Sequence, residues 1–361
     1  MITVELRPST RLVQLIASLE RFSGRWERLA EITTIASKES QEGALTEQTV
    51  AAFLLDSTTP THISLALRKG WEQGVFRAGA AERNPTGVPA ELNHPLLLSY
   101  RAAHTNFAHF DCQAIEQLYL DLFGTGDRSF AEGTVTNGAG PQLYRATAAN
   151  FTLRAGTADS EEIVFQTVPP FLVHQRFEDL IEWLSRELEA GDYHPLFLFG
   201  TFHLLFLQTM PFGRGNHRLS LNVLWRLMNG YSYSFVQHTS FAAILLERTK
   251  AYTQSLRQAE KTVFTTWGTL NIWLEFFLEA LVSAANNLSD LVEKGVEEQR
   301  LTRTQRNIIE IVRTRGPVTR EIIVTESGIN LSTVKYNLSV LAARGYLKRT
   351  GGGRTTSYWV S

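Results

Sequence analysis

The chain is poor in sulfur, in net charge and in long apolar runs. Its 361 residues include one cysteine and three methionines, and the formal charge is −1. The lone Cys112 has no internal disulfide partner, so the fold rests on an apolar core, and a reducing compartment such as the cytoplasm is expected. The most apolar window, 196–208 (LFLFGTFHLLFLQ), is short and is interrupted by Gly200, His203 and Gln208. It reads as a buried core helix, and no membrane partner is expected. The opening MITVELRPST lacks the apolar core of a secretory signal. There is no low-complexity tract and no internal repeat, which sets aside solenoids and arrays.

What is present is a globular composition: 43% hydrophobic, 20% charged and 11% aromatic residues. The length allows two or three domains. The near-zero charge conceals an imbalance. From Leu301 to Ser361 there are ten basic residues (Arg303, Arg306, Arg313, Arg315, Arg320, Lys335, Arg344, Lys348, Arg349, Arg354) against Glu310, Glu321 and Glu326. That segment carries +7 and the first 300 residues carry −8. A basic module on an acidic body points to an anionic partner, nucleic acid first, with a merely solvated basic surface as the alternative.

Periodicity is overwhelmingly helical. In RFEDLIEWLSREL the residues Phe177, Leu180, Ile181, Leu184 and Leu188 form one amphipathic stripe, predicting a helix over 173–190. Residues 219–228 read as a helix ending at Asn229-Gly230, and 263–292 as one long helix or two consecutive ones. Strand pairing is predicted only in 143–170 before residue 300, where β-formers flank a turn and end at Pro169-Pro170. The charged, glycine-interrupted run near 293–301 marks a domain boundary.

Beyond it, a helix over 302–315 is broken by Gly316-Pro317. Thr319 then stands to cap REIIVTES (320–327), Gly328-Ile329-Asn330 makes a turn, and Ser332 opens a helix with Val334, Leu338 and Leu341 on one face. Two strand-like pieces follow around a Gly-Gly-Gly tip. This order resembles a winged helix-turn-helix, over about 60 residues. The resemblance implies that Ser332, Thr333, Lys335, Tyr336 and Asn337 face DNA and that Lys348, Arg349 and Arg354 meet phosphates. A winged helix used for protein contacts is the alternative.

Between the apolar window and the next helix lies Met210-Pro211-Phe212-Gly213-Arg214-Gly215-Asn216-His217-Arg218. A glycine-containing loop entering a helix leaves backbone N–H groups unpaired. With the helix dipole and two guanidinium groups these favour an anion such as phosphate, supplied by Gly213, Arg214, Gly215, Asn216, His217 and Arg218. A loop that binds nothing is the competing reading.

This loop resembles the signature of Fic (Fic/Doc) proteins, His-Pro-Phe-x-(Asp/Glu)-Gly-Asn-Gly-Arg-x-x-Arg. Tyr144-Arg145 with the following hairpin is similar to the family's target-binding flap. The helices over 173–190 and 196–208 also have counterparts there, and a C-terminal winged helix is a common companion. The resemblance implies a mainly α fold: a Fic-type helical body with a β-hairpin flap, followed by a winged helix domain. The expected divisions are an N-terminal helical region (1–90), a core (91–292) and the winged helix (301–361). Active members transfer AMP from ATP to a Ser, Thr or Tyr hydroxyl.

Pro211, Phe212, Gly215, Asn216 and Arg218 match the motif. Met210 stands in place of the histidine base, and Arg214 in place of the acid that holds Mg²⁺. A thioether accepts no proton, and a guanidinium repels a metal. His217 replaces the second glycine and Leu221 the second arginine. A related phosphate-transferring branch shares those two departures but keeps its histidine and acid. The expectation is therefore a chain with no catalytic residue and no metal ligand. ATP or another nucleotide is expected at the loop, a protein segment at the flap and DNA at the tail, with a homo-oligomer possible. Two alternatives are an active adenylyl- or phosphotransferase using altered residues and a protein-binding scaffold with a vestigial pocket. Fic proteins often carry an inhibitory Ser/Thr-x-x-x-Glu-Gly/Asn helix. Its nearest match, Ser37 to Gly43 around Glu42, is one residue out of step, and its partner arginine is replaced by Leu221.

Overall fold

A computed structural model describes residues 2, 4, 6–32, 38–76, 95–102, 110–123, 143–154, 161–260, 269–299, 301–351 and 356–360. The chain forms two compact units, Met1–Ser289 and Asp290–Ser361. The fold is mainly α, as the sequence predicts.

The first unit opens with α1 (Thr10–Ile32), whose Leu12, Leu15, Leu19, Phe22 and Trp26 are buried at helical spacing. α2 (Lys38–Leu55) ends in the buried run Val50 to Leu55 and delivers the chain to a turn at 56–59. α3 (Thr61–Glu72), α4 (Pro95–Ala102) and α5 (Cys112–Phe123) follow. The hairpin is shorter than predicted. β1 (Asn150–Arg154) pairs antiparallel with β2 (Glu161–Gln166), with a bulge after Phe151. Tyr144 lies outside it: its backbone forms an isolated bridge with Phe212, and its hydroxyl donates to Glu116. The turn between the strands, and the 263–268 part of the predicted helix over 263–292, lie outside the described residues.

α6 (Val173–Ala190) buries Phe177, Leu180, Ile181 and Leu184 of the predicted stripe, leaves Leu188 half-buried, and stops at Gly191, whose φ of 70° closes the C-cap. α7 (Pro195–Thr209) is the buried helix the sequence predicts, with Pro195 in its first turn and His194 accepting the Leu196 N–H. α8 (Asn216–Gly230) starts three residues earlier than its apolar periodicity suggests. α9 (Phe241–Glu247), α10 (Thr249–Glu260) and α11 (Thr269–Gln299) follow.

The interruptions of the apolar window have structural reasons. At Gly200 a Cβ would lie 2.8 Å from Leu274 and 2.9 Å from Phe277, so glycine permits the close approach of α7 and α11. The Trp273 indole donates to the Gly200 carbonyl at 2.7 Å. His203 is a bonded core residue, as its setting in the sequence suggests. It takes part in a buried chain: Ser220 Oγ to His203 Nδ1 (2.8 Å), His203 Nε2 to Tyr252 OH (2.8 Å), and Tyr252 OH to His217 Nε2 (3.0 Å).

In the second unit, α12 (Arg303–Arg315) begins with a reciprocal cap between Thr302 and Gln305. Next come β3 (Val318–Thr319), α13 (Arg320–Ser327), α14 (Leu331–Ala343), β4 (Leu347–Thr350) and β5 (Ser357–Val360), in an antiparallel sheet of order β3-β5-β4. Ile308, Val312, Ile323, Val334, Leu338 and Leu347 share its core. Two cap assignments change. Thr319 occupies the N-cap of α13 without a side-chain bond, and α14 is capped by Asn330, which accepts the Thr333 N–H, rather than opened by Ser332.

Gly200→Ala is expected to destabilise the protein by about 1–3 kcal/mol through overpacking, despite the better helix propensity of alanine. Urea unfolding of the two proteins checks this. Equal midpoints would mean that the helices separate freely.

Candidate functional site

The loop between α7 and α8 is held at both ends by side chains from distant segments. At the α7 end, Met210 adopts φ 40°, a left-handed conformation unusual for a side-chain-bearing residue, and its N–H closes the helix on Phe206. Arg145, 7% exposed, gathers the carbonyls around it. Its Nε donates to Met210 O at 2.8 Å, Nη1 to Thr147 O at 2.8 Å, and Nη2 to Thr209 O at 3.2 Å and to Val168 O. A guanidinium on the last carbonyls of a helix satisfies orphan acceptors and opposes the negative end of the dipole. Burial lowers the Arg145 pKa.

In the middle, Phe212 is fully buried and stacks on Tyr119 at 4.0 Å between ring centroids. Asn216 reaches back from α8 to clamp the backbone of Phe212. Its Oδ1 accepts the Phe212 N–H at 3.0 Å, and its Nδ2 donates to the Phe212 carbonyl at 2.7 Å. The amide therefore fixes the loop and is committed there.

At the α8 end the geometry turns inward. Arg218 is 2% exposed, and its Nε donates to Asp56 Oδ2 at 2.7 Å. Phe53 and Phe123 lie against the guanidinium at 4.4 and 4.8 Å. The other Asp56 oxygen accepts from the Thr58 N–H (2.8 Å) and hydroxyl (2.7 Å), an Asx turn. The Thr58 hydroxyl in turn accepts the Gly215 N–H at 3.1 Å and an Arg218 Nη2 at 3.4 Å. Burial opposes ionisation of Asp56, but the Arg218 charge, His217 and the hydrogen bonds outweigh it and hold the pKa below the ordinary value. The turn is anchored on its other side by Arg154, which donates to Ser57 O and Thr59 O, and by a bridge from Asp56 to Leu153.

His217 leaves the loop in another direction, into the core, where burial lowers its pKa to about 4. One phenol proton serves two imidazoles here, so one ring presents an N–H to Tyr252. The buried His217 Nδ1 has no partner, and a bare lone pair there is cheaper than an orphaned N–H. That places the His217 proton on Nε2 and directs the Tyr252 hydroxyl to His203.

Of the residues the sequence assigns to an anion, Gly213 is exposed and Arg214 half-buried, while Gly215, Asn216, His217 and Arg218 are buried. Asn216, His217 and Arg218 spend their side chains, and Gly215 its N–H, on internal partners. The missed residues are Asp56, Thr58 and Tyr252, while Arg145, assigned to the flap by resemblance, braces the end of α7. The DSTTP segment signals a turn at 56–60, but nothing local announces its partner 162 positions away. Glu42, the nearest match to an inhibitory carboxylate by pattern, is exposed on α2, at the opposite end of the helix from Asp56. The hairpin edges are also engaged: Asp56 bridges β1, and Arg257 donates to Ile163 O (2.7 Å) and Val164 O (3.2 Å) of β2. Cys112 is half-buried, and burial with the nearby Glu116 and Glu178 pushes its thiol up to about 11, which keeps it protonated.

On the second unit, Ser332, Lys335 and Tyr336 are exposed along α14, Tyr336 at 69%, and Thr333 is half-buried. Lys348 and Arg349 are exposed on β4. Asn337 departs from the sequence assignment. It is 6% exposed and donates to the Thr333 carbonyl at 2.8 Å, so it faces the core. Arg354 lies outside the described residues. Among the described residues no group of three or more His, Cys, Asp or Glu side chains could hold a metal, and no helix is long and apolar enough to cross a membrane.

No family model and no curated protein matches the chain. Among solved structures it is similar to a Fic family protein from Desulfovibrio desulfuricans G20, with TM-score 0.54 and 18% identity, over 100% of this chain and 98% of that one. A Fic domain containing signaling protein from Bacteroides thetaiotaomicron VPI-5482 aligns with TM-score 0.47 and 10% identity, over 81% of this chain and 100% of that one. The first likeness shows that the fold is the Fic type.

Two outcomes test this geometry. Gly213→Ala meets no atom within 4 Å and is expected to leave stability unchanged. Gly215→Ala, at φ 69° and with a Cβ 2.4 Å from Phe123, is expected to cost at least about 2 kcal/mol in denaturant unfolding. For pH, both His203 and His217 are held neutral when folded, so the unfolded chain binds more protons below the ordinary histidine pKa of 6.5. Stability should fall as pH drops from 6.5 towards 4, by about 3 kcal/mol from His217 alone, and His217→Gln should flatten the profile. The Asp56 contribution is lost only below its ordinary pKa of 3.8.

Proposed function

We propose that the chain is a regulator: a Fic-type body without transfer chemistry joined to a C-terminal winged helix that binds DNA. The observation that carries the DNA part is the exposed face of α14, with Ser332, Lys335 and Tyr336, beside Lys348 and Arg349 on β4. Helix side chains at that position suit base edges, and basic strand residues suit phosphates. The surplus of +7 over residues 301–361 supports the same reading.

For the body, the reading is supported by what the loop lacks and by what it has already bonded. Met210 offers no base and Arg214 no carboxylate for Mg²⁺. The nucleotide that a Fic-type fold implies requires phosphate donors, and here Arg218 is ion-paired to Asp56 while the Gly215 N–H is bonded to Thr58. These residues do not fit a nucleotide's phosphates as they stand. Neither His203 nor His217 replaces the base, because both are bonded inside the core.

DNA binding measured against salt tests the first part. Neutralising Lys348 or Arg349 should each weaken binding and reduce the log–log salt slope by about 1. Asn337→Ala should instead act on stability and leave the slope alone. A salt-independent affinity would overturn the reading. Incubation with α-labelled ATP, Mg²⁺ and lysate should leave the chain and other proteins unlabelled, and a labelled band that requires the added chain would restore the transferase.

A further inference from the structure

We infer that the exposed face of α14 selects a guanine through Lys335 and, close beside it, an amine-bearing base, cytosine or adenine, through Ser332. This rests on the DNA-binding reading and deepens it, because phosphate contacts hold a protein on any duplex while base edges supply the choice. Asn337 is buried and bonded to the Thr333 carbonyl, which takes it off that face. Ser332 and Lys335, three positions apart on one helix, stay exposed on it. Their hydrogen-bonding roles are fixed by their surroundings. The Ser332 hydroxyl donates to Asn330 Oδ1 at 2.7 Å, the same oxygen that accepts the Thr333 N–H at 2.9 Å. A hydroxyl whose single proton is committed offers a partner only its lone pairs. Lys335 is the opposite, a cation with three donors and no acceptor. The three glutamates after residue 301 pair with arginines: Glu310 with Arg313 at 3.6 Å, Glu326 with Arg315 at 2.8 Å and Glu321 with Arg320 at 2.8 Å. None of them neutralises Lys335.

The major groove supplies the complements. Guanine alone presents two acceptors, O6 and N7, with no donor between or beside them, which suits an ammonium. An acceptor-only hydroxyl suits the N4 amine of cytosine or the N6 amine of adenine, and it rejects guanine and thymine, whose groove edges carry no N–H. Side chains three positions apart on a helix stand about 5–6 Å apart. Bases on one strand follow at roughly 3.4 Å, so the two contacts fall within about two base pairs of each other. Asn330 is thereby a positioning residue: it caps α14 and also decides which way its neighbour's hydroxyl can bond.

The test is selection of bound duplexes from a random-sequence pool by the full chain, followed by affinity for the selected duplex. The wild type should fix one guanine and, within about two base pairs, a position restricted to cytosine or adenine on one strand. Lys335→Met should lose the guanine. Replacing that guanine by 7-deazaguanine, which lacks the N7 acceptor, should weaken the wild type about tenfold and leave Lys335→Met unaffected. Ser332→Ala should keep the guanine and lose the amine-bearing position. Asn330→Gly, a tolerated N-cap residue that frees the Ser332 proton, should relax that position in the same way. Lys348→Met should weaken binding to all sequences alike and select the same bases. DNA binding with no fixed guanine, a guanine that survives Lys335→Met, or an amine-bearing position that survives Ser332→Ala would overturn the inference and leave DNA binding standing. Failure to bind the pool at all would overturn both.

Discussion

The ion pair between Asp56 and Arg218 is the interaction on which the body's centre depends. It lies 2–3% exposed, and such pairs are poor evidence of net stability, because removing two charges from water costs nearly what their attraction returns. Breaking one is different: a single partner left behind costs about 3–5 kcal/mol. The pair thus acts as a constraint more than as a source of stability. Given Arg218 in the core, a carboxylate must stand at 56, the turn must present Thr58 to Gly215, and β1 must lie close enough for Arg154 to hold the turn's carbonyls. The end of α2, the hairpin and the start of α8 are placed by one buried charge.

The same logic operates at the other end of the loop with the signs exchanged. The C-terminal carbonyls of α7 face the Arg145 guanidinium, and the Arg218 side chain in the first turn of α8 faces the Asp56 carboxylate. Each helix dipole meets an opposite charge drawn from far along the chain. A loop that is fixed at both ends in this way, with Asn216 locking its middle, is a rigid structural turn. The polar groups of this loop thus serve the fold.

Local physics made much of the architecture readable. The stripe from Phe177 to Leu184 gave a helix because those side chains recur at helical spacing, and they are buried as that spacing demands. Thr302 with Gln305 three positions on formed the reciprocal cap. Asn337 was legible too. Val334, Asn337, Leu338 and Leu341 fall at i, i+3, i+4 and i+7, so an asparagine between core positions belongs to the buried face. Reading it as a DNA contact gave residue type more weight than helical phase.

The parts that were not legible share one property: their meaning is set by a partner remote in sequence. Arg218 in a glycine-containing loop has the same local context whether it awaits a phosphate or is matched by a carboxylate. Only the contact with Asp56, 162 residues earlier, decides between them. His217 likewise reads as a loop residue until Tyr252 places it in the core. Buried charges and buried imidazoles must find partners, because the interior penalises an unpaired polar group far more than the surface does. A motif of anion donors therefore identifies the charge a site needs and leaves open who supplies it. In this chain the supplier is internal, and Arg218 with its carboxylate becomes part of the protein's core.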